Sequence, residues 1–401
     1  MWMQHLHRLW QQLPQPWRRT LLFRVTQTLA PRPTLPAPVG YPRPFIVAGF
    51  LTAATGLGEW ARLALQAFQS EQTETYGIDL SQQMVQGVDL PRGEWRDGSH
   101  LIGTGTLFLH VNAPYVPLAL KILGKQLTRN KKIVGCWAWE LPDVPSDWHT
   151  GFDFVHEVWA LSDFTAQAFR RHTALPVKTT PLPVMPAILP SPESWVWPKP
   201  INSFVVLAMF NLASGYTRKN PLGAIQAFQQ AFGTDKSCRL LLKIANPQAY
   251  PAGMQALERL AAAAGNIELF TTTLPPDQTA ALIAASDVVL SLHRAEGFGL
   301  VPAEAMLQGK PVVATGWSGN LTFMSPENSC LVDYTLVPAA DPQATYHHPN
   351  QQWAEPNIAT AAKALQKLRQ DRALANRLGT QARKDVTEQL SLTAYAAHAR
   401  P

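Results

Sequence analysis

The chain has 401 residues, of which 46% are hydrophobic and 15% charged, and a net charge of +6. That length suits two domains, each with a sizeable core, and no run of 18 apolar residues is present to cross a membrane as a helix. The charge excess sits at one end. Residues 1–58 hold Arg8, Arg18, Arg19, Arg24, Arg32 and Arg43 and no acid, which leaves 28 basic residues (34 less 6) against 28 acidic ones in the rest. A nucleic-acid enzyme spreads its basic residues over a face of the fold, so no nucleic-acid partner is expected.

Residues 1–44 read as a basic, amphipathic and Pro-rich segment. Trp2, Leu6, Leu9, Trp10 and Leu13 share one helical face, and after Pro14 and Pro16 a second face joins Trp17, Leu21, Leu22, Val25 and Leu29. Arginines opposite tryptophans suit a helix lying on an anionic membrane surface through residues 1–30. The same faces would also serve to dock on the body of the protein or on a partner. Residues 30–44 read as a Pro-rich tether.

The first domain is expected over residues 45–182. PFIVAGF is a strand, and TAATGLGEWARLALQAF is a glycine-bearing loop running into an amphipathic helix. Gly56 and Gly58 allow backbone to approach a ligand there, or simply make a tight turn. TLFLHVNAP is an apolar strand ending in His110 and Asn112, and polar residues at the carboxyl end of a parallel strand face a ligand crevice. KKIVGCWAWELP is a strand ending in Trp137, Trp139 and Glu140. Two aromatics beside a carboxylate suit a sugar face and its hydroxyls, and equally suit a core edge. In HEVWALSDFTAQAF a strand leads into a helix with Ser162 as its cap. Cys136, Cys238 and Cys330 are odd in number and far apart, which reads as buried thiols in a reducing, cytoplasmic compartment.

Seven prolines between Pro181 and Pro200 mark a linker, placed at residues 183–201. The second domain is expected over 202–385, with a C-terminal helix over 386–401. FVVLAMF is its first strand, and the loop behind it carries Arg218 and Lys219. Lys243 lies late in the strand CRLLLKIAN, where a lysine is not expected to be buried unpaired. It calls for a phosphate, a salt bridge or solvent. A strand, NIELF, leads to the loop Thr271–Leu274, which includes Thr272.

The stretch from His293 to Asn320, HRAEGFGLVPAEAMLQGKPVVATGWSGN, follows the buried strand DVVLSLH. Gly297 and Gly299 punctuate a tight loop, Pro302 suits the first position of a helix, and Gly309 ends that helix. The amides of Gly299, Leu300 and Val301 would stand unpaired at a helix N-terminus, a ready site for a diphosphate. Glu296 and Glu304 flank the same turn at a spacing of E-x7-E. Carboxylates make no sense as phosphate ligands, but they accept hydroxyl donors. A helix end for phosphate beside acceptors for sugar or ribose hydroxyls describes a nucleotide-sugar site.

EGFGLVPAEAMLQGKPVVATGWSGN resembles the E-x7-E signature of retaining, two-domain glycosyltransferases of the family 4 type, with SGNLTFMSPENSCLVDY and WAEP in keeping. The resemblance runs over residues 45–400 and is strongest over 201–356. It implies an α/β chain of the GT-B kind, two Rossmann-like doubly wound domains facing each other across a cleft, with the acceptor domain first and the donor domain second. It implies a retaining hexosyl transfer from a nucleotide-diphosphate sugar to a saccharide or lipid-linked saccharide, at the cytoplasmic face of a membrane. Lys219 aligns with a lysine that contacts the diphosphate; the family's arginine six residues earlier is Ala213 here, with Arg218 as a substitute. Lys243 joins Lys219 at the leaving group. Glu304 takes the ribose, and Glu296 with Gly297, Phe298, Gly299, Leu300 and Val301 takes the donor sugar and phosphates. His110 positions that sugar, Gly56 and Gly58 face the phosphates, and Thr272 passes the base. Asn112, Trp139 and Glu140 are placed at the acceptor. No D-x-D pair occurs, so neither a metal nor a cofactor is expected. The rival readings are a non-catalytic GT-B-like scaffolding subunit, favoured by Ala213, and a sugar-nucleotide epimerase.

Overall fold

The computed structural model describes residues 23–87, 90–186, 189, 197, 199–200, 202–346 and 348–400. The apolar face expected over Trp2–Leu13, and most of the second one, lie outside these residues.

Strand β1 (Phe45–Gly49) is buried along its length and runs into helix α1 (Gly56–Ser70). Thr55 caps that helix, its hydroxyl accepting from the Gly58 amide at 3.1 Å. Trp60, Leu63, Ala64, Ala67 and Phe68 recur at helical spacing and are all buried. Burying Leu63 or Phe68 contributes about 1.5–3 kcal/mol each, and each alanine methyl less. The chain continues through β2 (Thr75–Asp79), β3 (Gly105–His110), α2 (Val116–Leu123), β4 (Lys131–Trp137), β5 (Glu157–Ala160), α3 (Asp163–Arg170) and β6 (Val177–Thr179). The strands pair in parallel in the order β2-β1-β3-β4-β5-β6.

The second sheet repeats the scheme. Its elements are β7 (Phe204–Asn211), α4 (Pro221–Phe232), β8 (Cys238–Ala245), α5 (Pro251–Ala264), β9 (Ile267–Phe270), α6 (Pro276–Ala285), β10 (Val288–Ser291), α7 (Leu300–Leu307), β11 (Val312–Thr315) and β12 (Cys330–Val332). They pair in parallel in the order β12-β11-β10-β7-β8-β9. Two six-stranded parallel sheets covered by helices are the expected pair of Rossmann-like domains. In each sheet the strand order reverses once, between β1 and β3 and between β7 and β10. Such reversals open a crevice at the carboxyl ends of the strands, where ligands bind.

Three features differ from expectation or complete it. Residues 30–44 are not a free tether: Thr106 donates to Pro42 O and Pro44 O, and the Tyr41 hydroxyl meets Glu157, which also pairs with Lys132 at 2.8 Å. The stretch Leu336–Asn350, whose polar, Pro-rich composition suggests an inserted loop, belongs to an antiparallel hairpin of β13 (Tyr334–Ala339) and β14 (His348–Pro356). Its short apolar positions, such as Val337 opposite Trp353, are masked by prolines and polar residues in the sequence. Last, α8 (Ile358–Gln370) and α9 (Arg372–Gln389) lead to α10 (Leu392–Ala397), which packs on α1 of the first domain. There the Trp60 indole donates to the Tyr395 hydroxyl at 2.9 Å. Among the described residues no helix is long and apolar enough to cross a membrane.

Candidate active site

The loop after β10 is held in shape by the loop after β11. Thr315 donates to His293 O at 2.6 Å, the His293 ring meets the Asn320 side-chain oxygen at 3.1 Å, and the Glu296 amide donates to the Ser318 hydroxyl at 2.9 Å. A Cβ on Gly319 would stand 2.1 Å from Gly297 O, so only glycine lets these two loops lie against each other. Gly299 adopts φ +100°, a left-handed conformation natural to glycine, and starts α7 with no side-chain cap. Pro302 sits third in α7 rather than first, still within the turn whose amides have no helical acceptor. Two anion-seeking amides, of Leu300 and Val301, therefore open onto the β7/β10 crevice.

The charged residues are arranged differently from the reading that placed each on a ligand. Glu296 is side-chain-paired with both Lys219 and Arg218, the latter at 3.2 Å. Burial alone would raise its carboxyl, but Lys219 and then Arg218 outweigh that and hold it down to about 2. Arg218 is not a substitute phosphate ligand. Only 2% of its side chain is exposed, and its guanidinium is spent on Ser214 O, Ala295 O and Glu296, beneath the Tyr346 ring at 4.9 Å. Lys219, paired with the same glutamate, keeps 22% of its side chain exposed.

Lys243 stands otherwise. It is buried on β8, its ammonium 5.9 Å from the Phe270 ring, and no acceptor or carboxylate meets it among the described residues. Burial pushes its pKa down. Across the crevice, Glu304 on α7 is half-buried, and its carboxyl is pushed up to about 7 by burial and then by Glu59 of α1. Glu59 is itself held by Arg62 at 2.6 Å. The first turn of α1, through Glu59, thus comes near Glu304 on α7, one from each domain.

The Glu304 shift has a sign that can be checked. Its folded pKa lies above the unfolded value, so the native state keeps a proton that the unfolded chain has released. Stability contributed at this group is full below about pH 4.5 and declines as pH rises toward 7. Glu304→Gln, which cannot ionise, is expected to melt several degrees above the parent at pH 8 and level with it at pH 4.5. An equal difference at both pH values would remove the basis for the shift.

Several further site residues take roles other than the expected ones. His110 is fully buried against the edge of Trp60, ring centroids 5.0 Å apart, with neither ring nitrogen hydrogen-bonded. Burial pushes it down to about 3, so the ring is neutral. A sugar hydroxyl reaches it only if its surroundings rearrange. The Asn112 side chain accepts from the Ala138 amide at 2.9 Å and ties two strand ends together. Trp139 is buried between Trp148 and Tyr346, its indole donating to Asp143 O at 2.7 Å; of the two readings offered for it, the core edge is the one found. The Phe298 ring is buried against Phe323 and is a core group, which leaves only its backbone in the loop. A Cβ on Gly58 would meet Phe50 O at 2.5 Å, so this glycine serves the turn, whereas Gly56 faces open space. Glu140 does come up beside Gly297 of the loop, with Tyr346 close by. Thr272 lies in an exposed loop at the end of β9.

The hairpin contributes residues that no sequence motif singled out. Arg294 grips Glu355 with two bonds of 2.7 and 2.9 Å and donates to Thr217 O at 2.5 Å. Gln343 donates to Leu212 O and accepts from the Tyr216 amide, while Gln351 accepts from the Asp143 amide of the first domain. The hairpin therefore spans one end of the crevice. WAEP was visible in the sequence, but its glutamate's partner, 61 residues earlier, was not.

Residues 205–349, within the second domain, match the family Glycosyl transferases group 1. No curated protein sequence matches the chain. Among solved structures, a glycosyltransferase from Rickettsia africae aligns with a TM-score of 0.62 at 14% identity, covering 89% of this chain and 97% of that one. Anabaena HepE in complex with UDP-glucose aligns with a TM-score of 0.59 at 15% identity, covering 88% and 98%. S. aureus TarM, in complex with UDP, alpha-GlcNAc-glycerol and Fondaparinux, aligns with 0.53 at 14% identity. The chain spans about half of TarM's length: 73% of this chain covers 54% of that one. At such identities these likenesses speak for the fold.

Proposed function

We propose that the protein is a metal-independent, retaining glycosyltransferase of the family 4 type. It moves a hexosyl-type sugar from a nucleotide-diphosphate sugar to a hydroxyl of a saccharide or lipid-linked saccharide on the cytoplasmic side of a membrane. One observation carries this reading. Among the described residues two anion-seeking groups meet no carboxylate: the Lys243 ammonium, near the carboxyl end of β8, and the uncapped amides at the start of α7, which follows β10. A diphosphate offers charge to both at once.

In this reading Lys243 and the α7 amides hold the leaving diphosphate, and Glu304, ionised by the hydroxyls it accepts, holds the ribose. Glu296 and the loop amides hold the sugar. Lys219 exchanges Glu296 for a phosphate oxygen as the donor enters. The acceptor oxygen forms a bond to the anomeric carbon on the face from which the phosphate departs. The phosphate oxygen leaves with the bonding pair and takes the acceptor's proton, so no protein nucleophile is required. Charge develops on the diphosphate where the preorganised donors already point. Closure of the two domains excludes water from the transfer.

The UDP found with HepE and TarM makes UDP-sugars the first donors to try. A ligand that binds only the native state raises its melting temperature, by about 2.7 kcal/mol of stabilisation at a hundredfold excess over Kd. The expected result is a shift with one class among UDP-, GDP-, dTDP- and ADP-sugars, lost in Glu304→Ala. The configuration of the transferred sugar, read by NMR, then tests retention. The pairing of Lys219 with Glu296, together with Ala213, favours the scaffolding reading as runner-up. No shift with any donor, in well-folded protein, would establish it.

A further inference from the structure

The positive excess noted in the leading segment acquires a partner in the fold. Helix 23–29 lies on the first domain through Phe23, Thr26 and Ala30, which are buried, and through Gln27, which donates to Thr150 at 2.9 Å. Its outward face is left with Arg24, Val25 (43% exposed) and Leu29 (58% exposed). The segment that follows exposes Leu35 and Val39 almost completely. The two alternatives for this helix thus divide between its faces: one docks on the body, and the apolar outer one remains unpartnered among the described residues.

The loop after the helix meets a second acid-free stretch. Between Asp97 and Glu140 the sequence has no acid, and its exposed cations Lys121, Lys125 and Arg129 recur every four residues. The fold sets Lys125 and Arg129 against Leu29–Thr34, with Asn130 N donating to Thr34 at 3.3 Å. Arg32, Lys125 and Arg129 line one cavity of about 590 Å³ with Leu29 at its edge. One carboxylate stands near: Asp153 pairs with Arg32 at 3.4 Å, but both side chains are more than half exposed. An exposed pair of this kind is worth at most about 1 kcal/mol, so it yields to a phosphate that several cations can share.

We propose that this face docks on an anionic lipid bilayer, with the Arg32–Lys125–Arg129 cavity taking headgroup phosphates while Val25 and Leu29 enter the interface. Charge complementarity selects the bilayer over a protein partner. The basic groups bracket an apolar strip, which is the layout of an interfacial helix on acidic headgroups. The inference is independent of the transfer reaction, since binding to vesicles is read without turnover.

The test uses the full chain and sedimentation with vesicles of phosphatidylcholine alone or mixed with phosphatidylglycerol. Removing residues 1–44 is not a usable control, because Pro42, Pro44 and Tyr41 are built into the first domain. The expected result is binding to the mixed vesicles only, weakened by salt. It should fall by at least about tenfold in Lys125→Glu/Arg129→Glu, since each basic residue near such a surface contributes about fivefold. Val25→Asp/Leu29→Asp should fall similarly, with melting temperatures of both variants at the parent's value. Unchanged binding in the charge-reversed variant overturns the proposal, as does parent protein that ignores the mixed vesicles. Inorganic phosphate that raises the melting temperature of the parent and not of that variant also overturns it, by showing a site for a small anion.

Discussion

Lys243→Met is expected to make the free protein more stable and the enzyme nearly inactive. The lysine is buried on β8 and meets no counter-charge among the described residues, so its burial opposes folding, as the lowered pKa records. Methionine of similar length fills the same space without that cost. A melting temperature at least about 2 °C above the parent's corresponds to 1 kcal/mol or less in a domain of this size. Turnover should fall about 10²–10³-fold, the loss seen when one preorganised stabiliser of developing charge is removed. The donor-induced melting shift should shrink in parallel. A variant that is less stable than the parent, yet keeps its donor shift, would sink the assignment of Lys243 to the diphosphate.

Glu296→Ala is expected to act in the opposite direction on stability. It leaves Arg218, 2% exposed, and Lys219 facing each other with no carboxylate between them. Removing one member of a buried ion pair costs about 3–5 kcal/mol. At 2–4 °C per kcal/mol the melting temperature should fall by about 6–20 °C. The magnitude agrees with the parent's own titration. A carboxyl held at about 2 against an ordinary 4.5 is worth about 3 kcal/mol, present above pH 4.5 and lost as pH falls through 2. Glu296→Gln keeps the shape and one acceptor oxygen, and should lose less stability than the alanine variant while losing turnover as fully. If the two variants melt together with the parent at pH 7, the ion pair does not hold the loop.

Both expectations depend on a distinction that the sequence does not display. Lys219 and Lys243 look alike as basic residues near strand ends in the donor domain. Folded, one is paired with a glutamate 77 residues away and the other meets no carboxylate among the described residues. Glu296 and Glu304, equivalent in the motif, end at opposite extremes: one is held at about 2, the other pushed to about 7. Spacing along a helix start says that both acids flank the same turn. It does not say which cations or carboxylates the neighbouring strands bring up.

What the sequence by itself determined is local. Buried parallel strands read as apolar β-branched runs, α1 as a helical stripe of Trp60, Leu63, Ala64, Ala67 and Phe68, and the α7 loop as glycines before a helix. In each of these the physics acts within ten or twenty residues. The alternation of strand and helix along the chain then implied two doubly wound sheets. Only the tertiary structure decided which strands adjoin, and with that where the two crevices open. It alone buried His110, spent Asn112 and Arg218 on the scaffold, turned an apparent loop into the β13–β14 hairpin and set Lys125 beside Arg32. These outcomes depend on contacts between residues tens of positions apart. Such contacts follow from strand order and packing, which residue type and spacing do not encode one position at a time.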